Sequence, residues 1–422
     1  MRDEKRWMND PSTPDQLAFA IERITYRDPL LALELWEKIS AGNRFSAEQE
    51  LRTARHIALW MARDNLPGAY HELRRLPIAA QNDEVMRWRA RTSLRTGQWQ
   101  DLLLDIGQMS ERERDSEEWR FWRGVALKKA GQAEASNQVL AILAAEKSYY
   151  GFLAADEIGL PYALHKATVT PDETQIAELA ARPELIRARE LFLVGQDGRG
   201  RSEWEAVIGF FKADQKLQAA ILAQRWGWHS RAISGAAGAG EFEDLSLRYP
   251  LPYNDIFESL SAKAGIPPTW AYGVARSESL FMRDVRSRAG AVGLMQLMPA
   301  TGRQVAKEIR LPYSGLNTLT NPHSNIRLGT SYLGQMAERF GGNRVLATAA
   351  YNAGPHRVDA WLPDAGTVDA RIWIENIPFN ETRKYVRRVL EAETIFHWRM
   401  TGEKRRLSDQ LPEVRANLLA SR

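Results

Sequence analysis

A 34-residue repeat in the first half of the chain constrains its fold most strongly. Trp88 precedes Trp122 by 34 residues, and Gly97 precedes Gly131 by the same interval. Each tryptophan falls within an apolar helical pattern, and each glycine follows where a left-handed residue commonly ends a helix. A period of 34 residues is typical of tetratricopeptide-like helix pairs joined by a short turn. The sequence therefore predicts stacked helix pairs.

Helical patterns continue on both sides of this repeat. Residues 54–69 read as an earlier, degenerate copy, with Asn65 near its turn, and residues 183–233 read as largely helical. We predict a break in helical structure in the segment Gly235–Phe242 and another at Tyr249–Tyr253. The expected domains are residues 1–181, residues 182–248 as a helical linker, and residues 249–422.

Composition excludes several classes of function. The 422 residues include no cysteine, so disulfides, thiolate catalysis and thiolate metal sites are excluded. The seven histidines are scattered without metal-ligand spacing, and we expect no metal and no cofactor. No apolar run is long enough for a membrane span, and the first residues do not resemble a signal peptide.

Charge is distributed unevenly along the chain. Residues 251–422 carry 23 Lys and Arg against 16 Asp and Glu, whereas the preceding residues carry 34 against 37. A basic domain suits an anionic polymer. The basic residues are spread through predicted helices and no nucleic-acid-binding motif is present, so we expect no nucleic-acid partner.

One acidic residue lies where an unpaired carboxylate is unexpected. Pro267 and Pro268 predict the start of a helix. Four of the residues that follow fall on one face of this helix: Ala271, Val274, Ala275 and Glu278. A carboxyl against apolar surface has its charged form disfavoured, which suits a general acid. The alternative is an acid at a helix end that turns into solvent.

Three further segments accompany Glu278. Residues 289–299 form an apolar, uncharged, glycine-rich run that predicts a loop packed closely against another element, with Gly290 and Gly293 permitting the approach. Residues 349–355, Ala-Ala-Tyr-Asn-Ala-Gly-Pro, end a helix with glycine and proline. Residues 377–386 read Ile-Pro-Phe-Asn-Glu-Thr-Arg-Lys-Tyr-Val.

Together these segments resemble the catalytic domain of the soluble lytic transglycosylases, over roughly residues 249–398. The resemblance implies an all-α fold: a helical superhelix of tetratricopeptide-like pairs, then a mainly helical domain similar to goose lysozyme. It implies that Glu278 is the sole catalytic acid and base. It further implies a saccharide cleft lined by Ser287, Gln296, Met298, Tyr351 and Glu381.

In this family the acid protonates the glycosidic oxygen between N-acetylmuramic acid and N-acetylglucosamine in peptidoglycan. It then acts as a base on the C6 hydroxyl, which attacks C1 and leaves a 1,6-anhydromuramoyl end. An ordinary glycosidase needs two carboxylates. No obvious second carboxylate follows Glu278 in its own segment, so a single-carboxylate mechanism and an internal nucleophile support each other.

Each cleft residue also has a purely structural interpretation. Tyr351 is equally well explained as a core aromatic with a backbone partner. Glu381 fits a first-turn acid that complements the helix dipole. Ser287 fits a loop hydroxyl with local backbone bonds, and Met298 fits a packing residue.

Three functions remain open from the sequence. The first is a lytic transglycosylase acting on peptidoglycan glycan strands in the periplasm. The second is a lysozyme-type hydrolase on the same fold, with Glu381 as second acid. The third is a non-catalytic glycan-binding scaffold, which the retention of glutamate at 278 disfavours. We expect a monomer. Its helical region either docks glycan strands or other cell-wall enzymes, or serves only as a structural platform.

Overall fold

The structure, a computed structural model, describes residues 13–41 and 45–416. It divides into two compact units. The first contains Met1–Glu146, Tyr150–Leu160 and Thr367–Arg383, and the second contains Lys147–Tyr149, Pro161–Gly366 and Lys384–Arg422. No helix within the described ranges is both long and apolar enough to cross a membrane.

Helices make up nearly all of the regular structure. In the first unit they are Thr13–Thr25, Pro29–Ser40, Ala47–Arg63, Ala69–Arg75, Asp83–Arg95, Trp99–Gly107, Glu111–Arg114, Glu117–Lys129, Ala133–Ala144, Ala370–Glu375 and the short 3-10 helix Ile78–Ala80. In the second unit they are Glu173–Ala180, Pro183–Leu193, Asp197–Ile208, Ala213–Arg225, His229–Gly238, Leu245–Arg248, Asn254–Lys263, Pro268–Ser279, Pro299–Glu308, Leu316–Thr320, Pro322–Arg339, Arg344–Ala353, Pro355–Ala360 and the 3-10 helix Ser408–Gln410. Helices Tyr149–Ile158 and Asn380–Thr401 contain residues of both units. The described residues also form two short strands, Thr367–Val368 and Val414–Arg415.

The repeat glycines end the first helix of each pair, as the sequence predicts. Gly97 and Gly131 have φ angles of 69° and 80°. The next residue along the chain, Gln98 or Gln132, donates its backbone N–H to a carbonyl five residues earlier, at 2.9 Å in both pairs. These bonds satisfy carbonyls that a helix end otherwise leaves unpaired. The chain then reverses into the second helix.

The predicted earlier copy of the pair is also present. Helix Ala47–Arg63 is followed by Asn65 at a φ of 57° and then by helix Ala69–Arg75. Asparagine is one of the few non-glycine residues that tolerates this left-handed conformation. The tryptophans at equivalent positions of the later pairs, Trp88 and Trp122, are buried. Stacked helix pairs are therefore confirmed.

The second unit continues the same construction. Helices Pro183–Leu193 and Asp197–Ile208 meet at Gly195, with a φ of 78°. Helices Ala213–Arg225 and His229–Gly238 meet at Gly227, with a φ of 71°. Residues 183–233 are largely helical, as predicted.

The predicted break lies in the later part of its segment, residues 235–242, and does not begin at Gly235. Gly235 lies inside helix His229–Gly238, where a Cβ atom would come within 2.9 Å of the Ala220 Cβ. The glycine therefore permits close packing of two helices rather than ending one of them. Helical structure stops at Gly238 instead, and Gly240 follows with a φ of 76°.

Helix Pro268–Ser279 forms the centre of the later part of the second unit. Trp270, Tyr272 and Val274 on this helix are at most 1 % exposed, so it is buried on more than the single predicted face. A Cβ atom at Gly273 would lie 2.8 Å from the Val389 carbonyl oxygen. Glycine thus lets helix Asn380–Thr401 cross this helix closely and hold it in place.

Candidate active site

The helix that carries Glu278 ends abruptly one residue after it. Leu280 and Phe281 both have left-handed backbone angles, with φ of 51° and 65°. Such angles cost of order 1–3 kcal/mol in residues other than glycine, and they persist only where the surroundings impose them. Glu278 itself is half-buried in the last turn. Its carboxyl therefore sits at a turn that the fold holds under strain.

Two buried tyrosines face Glu278. Burial, and then the negative charge of Glu278, raise the pKa of Tyr351 well above its usual value. The same two causes raise the pKa of Tyr385. Both phenols therefore stay protonated near neutral pH. Of the carboxylates in the described part of the chain, Glu278 is the one whose charge reaches Tyr351.

The two hydroxyl groups are bonded differently. The Tyr351 hydroxyl donates to the Met295 carbonyl at 2.8 Å. The Tyr385 hydroxyl is buried and makes its side-chain hydrogen-bonding interaction with Glu278, which adds to the rise in its pKa. One phenol therefore bonds to the backbone, and the other interacts with the acid itself.

The glycine-rich segment forms a tight hairpin beside this helix. Val292 and Leu297 exchange backbone hydrogen bonds of 3.0 and 3.1 Å. Gly293, with a φ of 85°, lies where a Cβ atom would come within 2.2 Å of the Leu319 carbonyl oxygen. The predicted close approach is confirmed at Gly293. At Gly290 the positive φ of 97° requires glycine, but the nearest atom is 3.9 Å away.

Asn325 ties this hairpin to helix Pro322–Arg339. Its amide nitrogen donates to the carbonyls of Val292 at 3.1 Å and Leu319 at 2.8 Å, and its oxygen accepts from the Met295 N–H at 2.8 Å. The side chain is 1 % exposed. The bonds with Val292 and Met295 hold the hairpin in a single register, and the third bond joins the amide to Leu319.

The predicted cleft residues of this segment occupy the hairpin and its exit. Gln296 has a φ of 46° and donates its side-chain amide to the carbonyls of Val285 and Gly293 at 3.1 and 2.8 Å. The Ser287 hydroxyl accepts from the Ala291 N–H at 3.0 Å, which is the local role weighed above. Met298 precedes helix Pro299–Glu308 and is 42 % exposed, so its side chain is available to a ligand.

Glu381 belongs to the first unit, whereas the other predicted site residues belong to the second. It lies exposed in the first turn of helix Asn380–Thr401, where an acid complements the helix dipole. Its assignment to the saccharide groove stays a prediction from the resemblance. No group of three or more His, Cys, Asp and Glu suited to a metal ion occurs in the part of the chain that the structure describes.

Comparison with known proteins connects these segments to one family. The transglycosylase SLT domain model matches residues 255–374, which include Glu278 and Tyr351. The model of the soluble lytic murein transglycosylase L domain matches residues 178–245. The soluble lytic murein transglycosylase of Escherichia coli K12 is 34 % identical over 329 residues, covering 78 % of this chain and 50 % of the relative. The chain belongs to the soluble lytic transglycosylase family.

Other soluble lytic transglycosylases also match this chain in sequence and structure. The soluble lytic murein transglycosylase of Salmonella typhimurium is 32 % identical over 366 residues, covering 86 % of this chain and 56 % of the relative. The chain thus spans about half the length of the curated relatives it matches. The lytic transglycosylase Slt of Pseudomonas aeruginosa, solved as an inactive mutant with glutamine in place of a glutamate, superposes with a TM-score of 0.86. That match has 32 % identity and covers 96 % of this chain and 66 % of the other.

The solved structures also confirm the predicted fold class. The 70 kDa soluble lytic transglycosylase of Escherichia coli superposes with a TM-score of 0.83 at 29 % identity, covering 95 % of this chain and 64 % of that protein. Both chains share the all-α arrangement of helix pairs and a lysozyme-like domain. The three-part division at residues 181 and 248 stays a prediction.

Sequence reasoning missed two residues of this soluble lytic transglycosylase site. Tyr385 stands in the quoted segment 377–386, but nothing in its sequence context marks its hydroxyl as one that faces Glu278. Asn325 follows Pro322 in an ordinary helix start. Its role depends on carbonyls 6 and 33 residues away, which no local pattern reveals.

Proposed function

We propose that this chain is a peptidoglycan lytic transglycosylase in which Glu278 acts first as general acid and then as base. The observation that carries the proposal is the pairing of one half-buried carboxyl with two buried phenols, Tyr351 and Tyr385, that its charge perturbs. Family membership supports the same reaction. So does the inactivity of the Pseudomonas aeruginosa relative when a glutamate becomes glutamine.

In the first step Glu278 donates its proton to the oxygen that joins N-acetylmuramic acid C1 to N-acetylglucosamine. The C1–O bond breaks and the N-acetylglucosamine side leaves with a hydroxyl group. Positive charge then develops at C1 of the muramic acid ring. Neutral phenols beside the acid line the site without adding a competing charge.

In the second step the Glu278 carboxylate takes the proton of the muramic acid C6 hydroxyl. The C6 oxygen bonds to C1 and closes the 1,6-anhydro ring, which returns Glu278 to its protonated form. No water is consumed. A nucleophile on the same sugar replaces the second carboxylate of an ordinary glycosidase, because an internal reaction gains from proximity.

We assign the saccharide-binding surface nearest the acid to the hairpin and its exit. Met298 offers an exposed apolar side chain, and Gln296 and Ser287 hold the hairpin through their own hydrogen bonds. Tyr351 fixes the Met295 carbonyl behind this surface. We propose a periplasmic location, because the proposed substrate, peptidoglycan, lies there.

Mass spectrometry of fragments released from purified peptidoglycan tests this function. Products one water lighter than hydrolysis products, without a reducing end, are expected. Reducing fragments would instead indicate the hydrolase, and Glu381→Gln would then be the first variant to assay. Binding without any release would indicate the scaffold.

The two tyrosines are expected to respond differently to removal of the hydroxyl. Tyr351→Phe leaves the buried Met295 carbonyl without its partner, so the free energy of unfolding should fall by about 1–3 kcal/mol. Tyr385→Phe removes a hydroxyl that interacts with Glu278, a half-buried carboxyl that solvent still reaches, so the loss of stability should be smaller. Both variants should turn over more slowly, each by less than Glu278→Gln. The denaturation midpoint and the turnover rate of each variant are measured together. Equal losses of stability in the two variants would contradict the prediction.

A further inference from the structure

The loop after Glu278 is tied to the helical segment that precedes the catalytic part of the chain. The Arg283 guanidinium donates hydrogen bonds to the Asp197 carboxylate. Its Nε lies 3.2 Å from each carboxylate oxygen, and its Nη2 lies 2.9 Å from Oδ2. One residue on, Asp284 accepts from Arg201 at 2.7 and 2.8 Å. Both pairs have the two-pronged geometry that combines strength with a defined orientation. We call these four residues the clamp.

The clamp is partly withdrawn from solvent. The Asp197 side chain is 5 % exposed, and those of the other three members are between 21 % and 34 % exposed. Arg283 also donates to the Phe192 carbonyl at 3.3 Å and lies over the Phe192 ring. Hydrogen bonding to their carboxylates raises the pKa of both arginines. Ion pairs sheltered in this way are screened less by salt than exposed pairs are.

Asp197 and Arg201 lie on helix Asp197–Ile208, within the segment that matches the L domain. Their partners lie five and six residues after Glu278. Between the acid and the clamp are Leu280 and Phe281, the two residues with left-handed angles. A strained turn persists only where its surroundings restrain it. The clamp restrains this turn at the end farther from Glu278.

The hairpin beyond the clamp has restraints of its own. Asn325 and Tyr351 both bond to Met295, and Asn325 also bonds to Val292. By contrast, the turn at residues 280–284 has two backbone bonds, from Leu280 to Arg276 and from Met282 to Ser279, both back into the Glu278 helix. Loss of the clamp would therefore loosen the turn beside the acid more than the saccharide-facing hairpin.

We propose that Asp197 and Arg201 are positioning residues for Glu278, so that the segment matching the L domain is part of the catalytic machinery. This proposal rests on the function proposed above for Glu278. Helix Asp197–Ile208 presents a carboxylate and, four residues later, a guanidinium. The loop presents a guanidinium and then a carboxylate, so each charge meets its opposite. The acid is thereby held in the geometry that proton transfer needs.

Asp197→Asn and Arg283→Met in the full chain test the proposal. Each is expected to lower kcat by about 10–100-fold, the effect of a displacement of about 1 Å, while KM changes little. The released products should still carry the 1,6-anhydro end. Hydrogen exchange at amides 280–284 should quicken, while exchange at 292–297 stays slow. Arg225→Met is the matched control, because Arg225 holds Glu173 in a similar two-pronged pair with no link to the loop.

Exchanging the charges of the Arg201–Asp284 pair distinguishes a positioning role from a general effect on stability. Arg201→Asp and Asp284→Arg should each impair kcat, and the double variant should recover at least tenfold over either single one. An unchanged kcat in Asp197→Asn and Arg283→Met, or losses equal to that of Arg225→Met, would overturn the proposal. Failure of the wild-type chain to yield anhydro products would count against the proposed function alone. The exchange rates at 280–284 would then still decide whether the clamp restrains the turn.

Discussion

Glu278→Gln is expected to abolish cleavage of peptidoglycan while leaving the fold unchanged. Glutamine keeps the size and shape of the side chain but has no proton to give to the glycosidic oxygen and no carboxylate to receive one. General acid–base groups contribute about 10²–10⁴-fold to rate, and Glu278 is assigned both roles, so the loss should reach at least about a thousandfold. Release of anhydro fragments over time measures it.

Glu258→Gln provides the matched control for this variant. Glu258 is an exposed acid in the same unit, on helix Asn254–Lys263, and accepts a hydrogen bond from Asn254 at 2.9 Å. The same change of side chain there should leave the rate within about twofold, since surface substitutions have small effects. Circular dichroism and the unfolding midpoint should match the wild type for both variants. Substantial cleavage by Glu278→Gln would remove the acid assignment, and Glu381 would then become the candidate.

The fold was predictable from sequence where a residue type has a single effect on the local backbone. Gly97 and Gly131 end helices because glycine tolerates a left-handed backbone, and the 34-residue interval exposed both. Gly235 shows the limit of this reasoning. There glycine serves helix packing against Ala220, and its sequence context alone does not distinguish that use from a break.

The site was predictable only in part, for a related reason. Glu278 stood out because a charged residue ends an apolar stripe. Tyr385 and Asn325 did not, because the meaning of a buried tyrosine or amide depends on groups that only the folded chain brings near. The Asp197–Arg283 pair spans 86 residues, and two charges at that separation are indistinguishable from any exposed pair until the helices are packed.

Gly293→Ala is expected to be the most damaging small change in the hairpin. A Cβ atom there would lie 2.2 Å from the Leu319 carbonyl oxygen and 2.4 Å from the Asn325 amide nitrogen, at a φ of 85°. The backbone angle costs about 1–3 kcal/mol, and the forced displacement of a well-packed neighbour adds about 1–3 kcal/mol. Asn325 would have to move and would weaken its three hydrogen bonds to the hairpin and to Leu319.

Gly290→Ala isolates the backbone-angle part of that cost. Gly290 has a φ of 97°, but its nearest neighbour, an Arg286 nitrogen, is 3.9 Å from the added methyl group. This variant should lose only the cost of the backbone angle, whereas Gly293→Ala should lose about 1–3 kcal/mol more and also lose most activity as the hairpin shifts. Urea unfolding with unchanged slope gives the two free energies. Equal losses in the two variants would mean that the contact with Leu319 and Asn325 does not hold the hairpin beside Glu278.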